Sequence, residues 1–311
     1  MANFRSFVIV LVVSLAAGLS ASAQQLAQIY ISNEWAESLQ QLDFSTGELT
    51  TLYNIGGQPD DCTLGPNGQI IYGVPNSGTI SMFDPASGVN TLLASGIFGS
   101  RDLTLEPGGQ TLLISKVSGP AEIYRYSFVT NTATVFFPKT KGITAFSGTA
   151  YDAYGNLYAI ASFNTIIQIN PATGAIISTL TLQPHSGGAG GDGLTYDSYT
   201  NSLWATTVGS SVNGWGLVQI PVRQSGFVST TDFTYYPLGK AGALDGVKSD
   251  GNGNLYIGAI HTALVYNIPS GTVTKNIVTK GADGVALVPG TYSPSTRSDP
   301  SIRVITSDKR D

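Results

Sequence analysis

The 311-residue chain is sparsely charged: 15 Lys and Arg against 20 Asp and Glu give a net charge of −5, and 11% of residues are charged, against about 25% in an ordinary soluble domain. An acidic chain of this kind offers no electrostatic footprint for nucleic acid or an anionic membrane, and its length suits one large all-β domain. Its single cysteine, Cys62, cannot close an internal disulfide, so the fold must stand on its core.

Residues 1–23 read as a secretory signal. Arg5 supplies the charged start, Phe7 to Leu19 the short apolar core, and Ala21-Ser22-Ala23 the small-residue cleavage site before Gln24. Cleavage after Ala23 removes Arg5, lowers the net charge by one, and implies a secreted or periplasmic protein. The apolar run is too short to span a bilayer comfortably, and no other stretch approaches the roughly 20 apolar residues a span needs.

The domain, residues 24–290, opens with the alternating strand Leu26-Ala27-Gln28-Ile29-Tyr30-Ile31 and a hairpin whose turn is Ser45-Thr46-Gly47. Three submotifs then recur in order. An Asp-led strand comes first: Asp60-Asp61-Cys62-Thr63-Leu64, Arg101-Asp102-Leu103-Thr104-Leu105, Asp192-Gly193-Leu194-Thr195-Tyr196-Asp197, Asp245-Gly246-Val247-Lys248-Ser249-Asp250 and Asp283-Gly284-Val285. One unit, Gly148-Thr149-Ala150-Tyr151-Asp152, lacks the leading Asp. A Gly turn and a second strand follow, as in Tyr154-Gly155-Asn156-Leu157-Tyr158 and Gly253-Asn254-Leu255-Tyr256. The third is a hairpin of the form Asn170-Pro171-Ala172-Thr173-Gly174, where Pro presets φ and Gly accepts a positive one.

A four-strand unit repeating at roughly 40 residues marks a β-propeller. The leading positions 61, 102, 148, 192, 245 and 283 predict six blades of four antiparallel strands. The inner strand missing before Leu26 is supplied from Asp283 to Val288, so both termini close the first blade and leave no free edge. The step from Asp192 to Asp245 is the longest and carries the extra loop Val212-Asn213-Gly214-Trp215-Gly216. Residues 291–311 read as a polar tail.

In a propeller, the loops before the inner strand and after the second strand open on one face. Asp61, Asp102, Asp192, Asp245 and Asp283 should therefore converge at one mouth of the central channel. His185 in the Gly-rich loop, His261, Glu34 and Trp35 map to the same face, and Arg101 and Lys116 offset its acidity. Crowded carboxylates repel unless a cation sits among them. Oxygen-only ligation by these five Asp points to Ca²⁺ or Mg²⁺. Such an ion polarises a carbonyl or activates water, with Asp192 or His185 as the base. Trp215 is the candidate for stacking on a small-molecule or carbohydrate-derived ligand, with Arg101, Glu34 and His261 as further binding residues. The competing reading is scaffold, because an Asp at a strand start also bonds neighbouring N–H groups. The run Gly187 to Gly191 lacks the Lys-Ser/Thr ending of a phosphate loop, and no Gly-x-Ser-x-Gly elbow occurs.

The Asp-Gly-Leu-Thr-Tyr-Asp and Asp-Gly-Val-Lys-Ser-Asp starts, with the Gly-Asn-Leu-Tyr turn, resemble the six-bladed propellers of the gluconolactonase/regucalcin-like and NHL-like group. The resemblance implies a divalent metal at the channel mouth and hydrolysis of a sugar lactone. Asp192 falls on that group's metal-ligand Asp, and Asp283 on the position of its Glu. The chain also resembles virginiamycin lyase-like propellers, which use a metal and a His on this face, and His185 would be that His. The expectation is thus a metal-dependent hydrolase of a lactone or related ester. The alternatives are a non-catalytic ligand- or protein-binding propeller and a metal-dependent lyase.

Overall fold

The computed structural model describes residues 26–182, 191–210, 214–239 and 242–291. Among them there is no helix, and the strands form six sheets. Each is a blade of four antiparallel strands, and the fifth blade adds a short extra strand, Gly226–Phe227. The chain is a six-bladed β-propeller.

The blade closure is as the sequence predicts. Ala282–Leu287 pairs antiparallel with Ile29–Asn33 and becomes the inner strand of blade one. The inner strands of blades two to six are Cys62–Leu64, Ser100–Leu105, Phe146–Tyr151, Leu194–Asp197 and Leu244–Ser249. Burial peaks in the second strands and falls toward the outer edge. The second strands Ile29–Asn33, Ile70–Val74 and Leu157–Ala161 are buried at every residue, while the outer strand Val89–Ala94 is mostly exposed. Second strands are packed on both faces, which is why they read as apolar runs rather than alternations.

The core lies between blades. Tyr158, Ile166, Leu194, Leu203 and Ile220 join blades four and five, and Ile29, Leu42, Tyr256, Val265 and Val285 join blades six and one. The repeated turn between first and second strands is held by its Asp. Asp152 accepts from the backbone N–H groups of Tyr154 and Asn156 at 2.9 Å and from Tyr158 Oη at 2.9 Å. Asp250 accepts from Asn252 N at 2.8 Å and Asn254 N at 3.2 Å. The Gly-Asn-Leu-Tyr signature is thus the imprint of this turn. Gly88 and Gly174 close third-to-fourth-strand hairpins at φ 72 and 73°, as their turn sequences require.

Second-strand hydroxyls fasten some blades to the next. Ser32 donates to Asp60 O at 2.6 Å, Ser115 to Ser147 O at 2.6 Å and Thr206 to Asp245 O at 3.0 Å.

Candidate functional site at the channel mouth

The inner strands are bulged where they begin. Register shifts fall between Ser100 and Asp102, Phe146 and Thr149, and Leu244 and Val247, and opposite Ala282 to Gly284 in the closing strand. A bulge sets two residues against one, so consecutive side chains can reach the same side. Asp60 and Asp61 both line the channel for this reason, as do Arg101 and Asp102.

The five Asp named from sequence all line the channel, but they do not make one ring. Strand pairing sets Asp60, Arg101, Ser147, Asp192, Asp245 and Asp283 at one level. Asp61, Asp102, Gly148, Gly193, Gly246 and Gly284 stand one residue deeper. Aligning Asp61 and Asp102 with Asp192 slips the repeat by one residue. The doublet Asp60-Asp61 hides that slip because either member resembles a leading acid, and in Arg101-Asp102 the only acid is the deeper residue.

The deeper level is scaffold. Asp61 Oδ2 accepts from Leu103 N of the next blade at 2.9 Å. Asp102 Oδ2 accepts from Thr149 N at 2.8 Å and Thr149 Oγ1 at 2.6 Å. In the other blades a glycine lets the next inner strand come closer still. A Cβ on Gly193 would sit 2.4 Å from Asp245 O, and one on Gly284 2.4 Å from Cys62 N.

The outer level is a charge cluster built on Arg101. Its Nη1 lies 2.6 Å from Asp60 Oδ2, and its Nη2 lies 3.5 Å from Asp192 Oδ2. Asp245 and Asp283, on neighbouring blades, line this level beside Asp192. Burial, with help from Asp192, pushes Asp245 up to about 7. Burial and the fields of Asp60 and Asp245 push Asp283 well above the carboxylate range. Burial likewise pushes Asp60 up to about 8, against the pull of Arg101. The space enclosed by these groups is about 10 Å³, the size of one water molecule and too small for an organic ligand.

The donor set does not fit a divalent ion. Among the described residues no three Asp, Glu, His or Cys side chains are grouped to hold a metal. Asp61 and Asp102 spend oxygens on the backbone of the next blade. The guanidinium of Arg101 stands between Asp60 and Asp192, where a cation would have to lie.

The other sequence candidates are dispersed. Lys116, paired with Ser100, is buried against Glu122 at 3.6 Å and over the Tyr124 ring and does not line the channel. Glu34 is half-buried on the rim, its N–H donating to Gly281 O at 3.0 Å. His261 meets Trp35 edge-on, ring centroids 5.4 Å apart, on the same rim. Trp215 is not in a loop. It lies in the strand Gly214–Arg223 and packs on the cluster of Trp204, Leu217 and Leu244, because the extra length of blade five extends a hairpin. His185, the signal segment and the tail beyond residue 291 lie outside the described residues. Asp60 and Lys248 belong to the channel and were not among the sequence candidates. The doublet was the available signal for Asp60; Lys248 had none.

No known family model matches the chain, and no curated protein matches it. Solved structures share its fold at low identity. A chain of a nidogen/laminin complex is 12% identical with a TM-score of 0.67, over 84% of this chain and 98% of that one. TolB from Acinetobacter baumannii is 13% identical at 0.60, over 84% and 66%. Virginiamycin B lyase from Staphylococcus aureus is 14% identical at 0.57, over 83% and 84%. These likenesses establish the six-bladed propeller class and do not single out the gluconolactonase/regucalcin group.

Proposed function

We propose that the chain is an exported, non-catalytic propeller that binds a ligand or protein partner on the face where the Arg101 mouth opens. The observation that carries this reading is the closed mouth: Arg101 neutralises Asp60 and Asp192 and fills the place a catalytic ion would need. Export rests on the segment Arg5 to Ala23.

The rim supports the same reading. Trp35, Phe98 and Phe163 are 51%, 56% and 37% exposed, on loops of that face from different blades. Phe163 is held at φ 63° beside Ser162 at φ 52°. That conformation costs a bulky residue about 1–3 kcal/mol, a cost that a recognition role for the exposed ring explains. A lactone hydrolase, or a lyase acting through His185, would need an open cation site, which this donor set does not favour.

The test pairs an oligosaccharide array with a metal-supplemented lactone hydrolysis assay. The reading expects array binding that is lost in the Trp35→Ala/Phe163→Ala double variant and kept in Leu92→Ala, with lactone turnover no faster than buffer. Ca²⁺-dependent turnover abolished by Asp192→Ala would overturn it.

A further inference from the structure

The opposite mouth of the channel is built differently. There the inner strands diverge into a pocket of about 340 Å³, inside the range of small-molecule sites and far larger than the space beside Arg101. Its floor is Lys248, which lines both this pocket and the inner channel, whereas Asp61 and Asp102 line only the channel. Lys248 thus borders both spaces, with Asp61 and Asp102 on its channel side.

Lys248 is a half-buried cation without a direct partner. The ion pairs among the described residues join Arg101 to Asp60 and Asp192, Lys116 to Glu122, and Arg125 to Glu106, and Lys248 is in none of them. Its ammonium takes part in no hydrogen bond among the described residues. Burial works against its charge, but the fields of Asp61 and Asp102 outweigh that and hold it above the ordinary lysine value. A charged ammonium with three donors to satisfy calls for an acceptor, and a carboxylate is the strongest one available.

The walls specify the rest. Thr63, Thr104 and Thr195 line the pocket from blades two, three and five, while the Thr149 hydroxyl is taken up by Asp102. Their hydrogen bonds leave both kinds of capacity. Thr195 Oγ1 accepts from Ser249 N at 3.3 Å, so its O–H is left to donate. Thr104 Oγ1 donates to Thr149 O at 3.0 Å, so its lone pairs are left to accept. Mixed donors and acceptors suit hydroxyl groups. The rings of Tyr151 and Tyr196, with Leu194, form the apolar side.

We infer that this mouth is a binding site for a small hydroxylated carboxylate, its anionic end on Lys248, its hydroxyls on the threonines and its carbon skeleton on the tyrosines. The site is separate from the proposed recognition face and stands or falls without it.

Saturation-transfer NMR on the mature chain at low salt, with millimolar D-glucuronate, L-tartrate and D-glucose, tests the inference. The expected result is transfer to a carboxylate probe that exceeds transfer to glucose and fades with added salt. Lys248→Met should weaken binding roughly tenfold or more, the worth of a charge-assisted bond, and Lys248→Arg should retain it. Thr63→Val, which disturbs no ion pair, should weaken binding without moving the melting temperature and covers the case in which Lys248→Met misfolds. No transfer from either carboxylate, equal binding of glucose, or a folded Lys248→Met that binds like the wild type would overturn the inference.

Discussion

Asp245 and Asp283 line one level of the channel on neighbouring blades, and burial raises both carboxyls above the ordinary aspartate value. The ordinary value for Asp245 is 3.8 and its folded value is about 7. Between those values the folded chain binds more protons than the unfolded one, so this pair makes stability fall as pH rises through that window. Asp283 is raised too and acts in the same sense. Asp245→Asn removes this titrating group. Melting temperatures across pH 4 to 8 should therefore fall less steeply in the variant than in the wild type, and parallel profiles would contradict a raised Asp245. At the same scale, burial beside Asp61 pushes the Cys62 thiol up to about 12. Cys62 should resist iodoacetamide in the folded chain and react on denaturation, as mass spectrometry would read. Its burial was legible in the apolar strand around it.

The inner strand is the element that the sequence reveals and conceals at once. Its Asp-Gly step announces the repeat, and five of its acids do line the channel. The glycine is the half that the acid reading passes over. Gly193 is there because a Cβ would meet Asp245 O at 2.4 Å, backbone that cannot swing aside. Gly193→Ala should cost about 1–3 kcal/mol or more by overpacking, measured as a lower denaturation midpoint. An unchanged midpoint would mean that the inner strands can separate. The one-residue slip between Asp61 and Asp192 was not legible, since it depends on bulges whose register is set by pairing with the second strand. Trp215 was misplaced for a related reason: a loop in one blade and a lengthened hairpin share the same Gly-rich spelling, and only the partner strand distinguishes them. Lys248 escaped because nothing in an alternating Asp-Gly-Val-Lys run says that its fourth residue ends at the far mouth.

For the whole molecule, the architecture was legible nearly in full. Repeat period, blade number and closure by Ala282–Leu287 follow from hydrophobic alternation and turn chemistry, which each blade carries locally. Closure also joins the termini through the core, because Val285 and Leu287 pack with Ile29, Ile31 and Tyr256 across two blades. Truncation before Ala282 should leave Ile29–Asn33 an open edge and convert a cooperative thermal transition into aggregation, visible by light scattering. The chemistry of the channel was less legible, since an acidic repeat does not reveal which cation balances it. The structure places Arg101 in that role at one mouth.

The most direct test of that placement is a Ca²⁺ titration of wild type and Arg101→Met, followed by calorimetry and melting temperature. If Arg101 is the cation of the mouth, the wild type takes up no stoichiometric Ca²⁺. The variant, with Asp60, Asp192, Asp245 and Asp283 left unbalanced, should bind it and melt higher in its presence. One equivalent of Ca²⁺ bound by the wild type, with a rise in melting temperature that Asp192→Ala removes, would contradict the account.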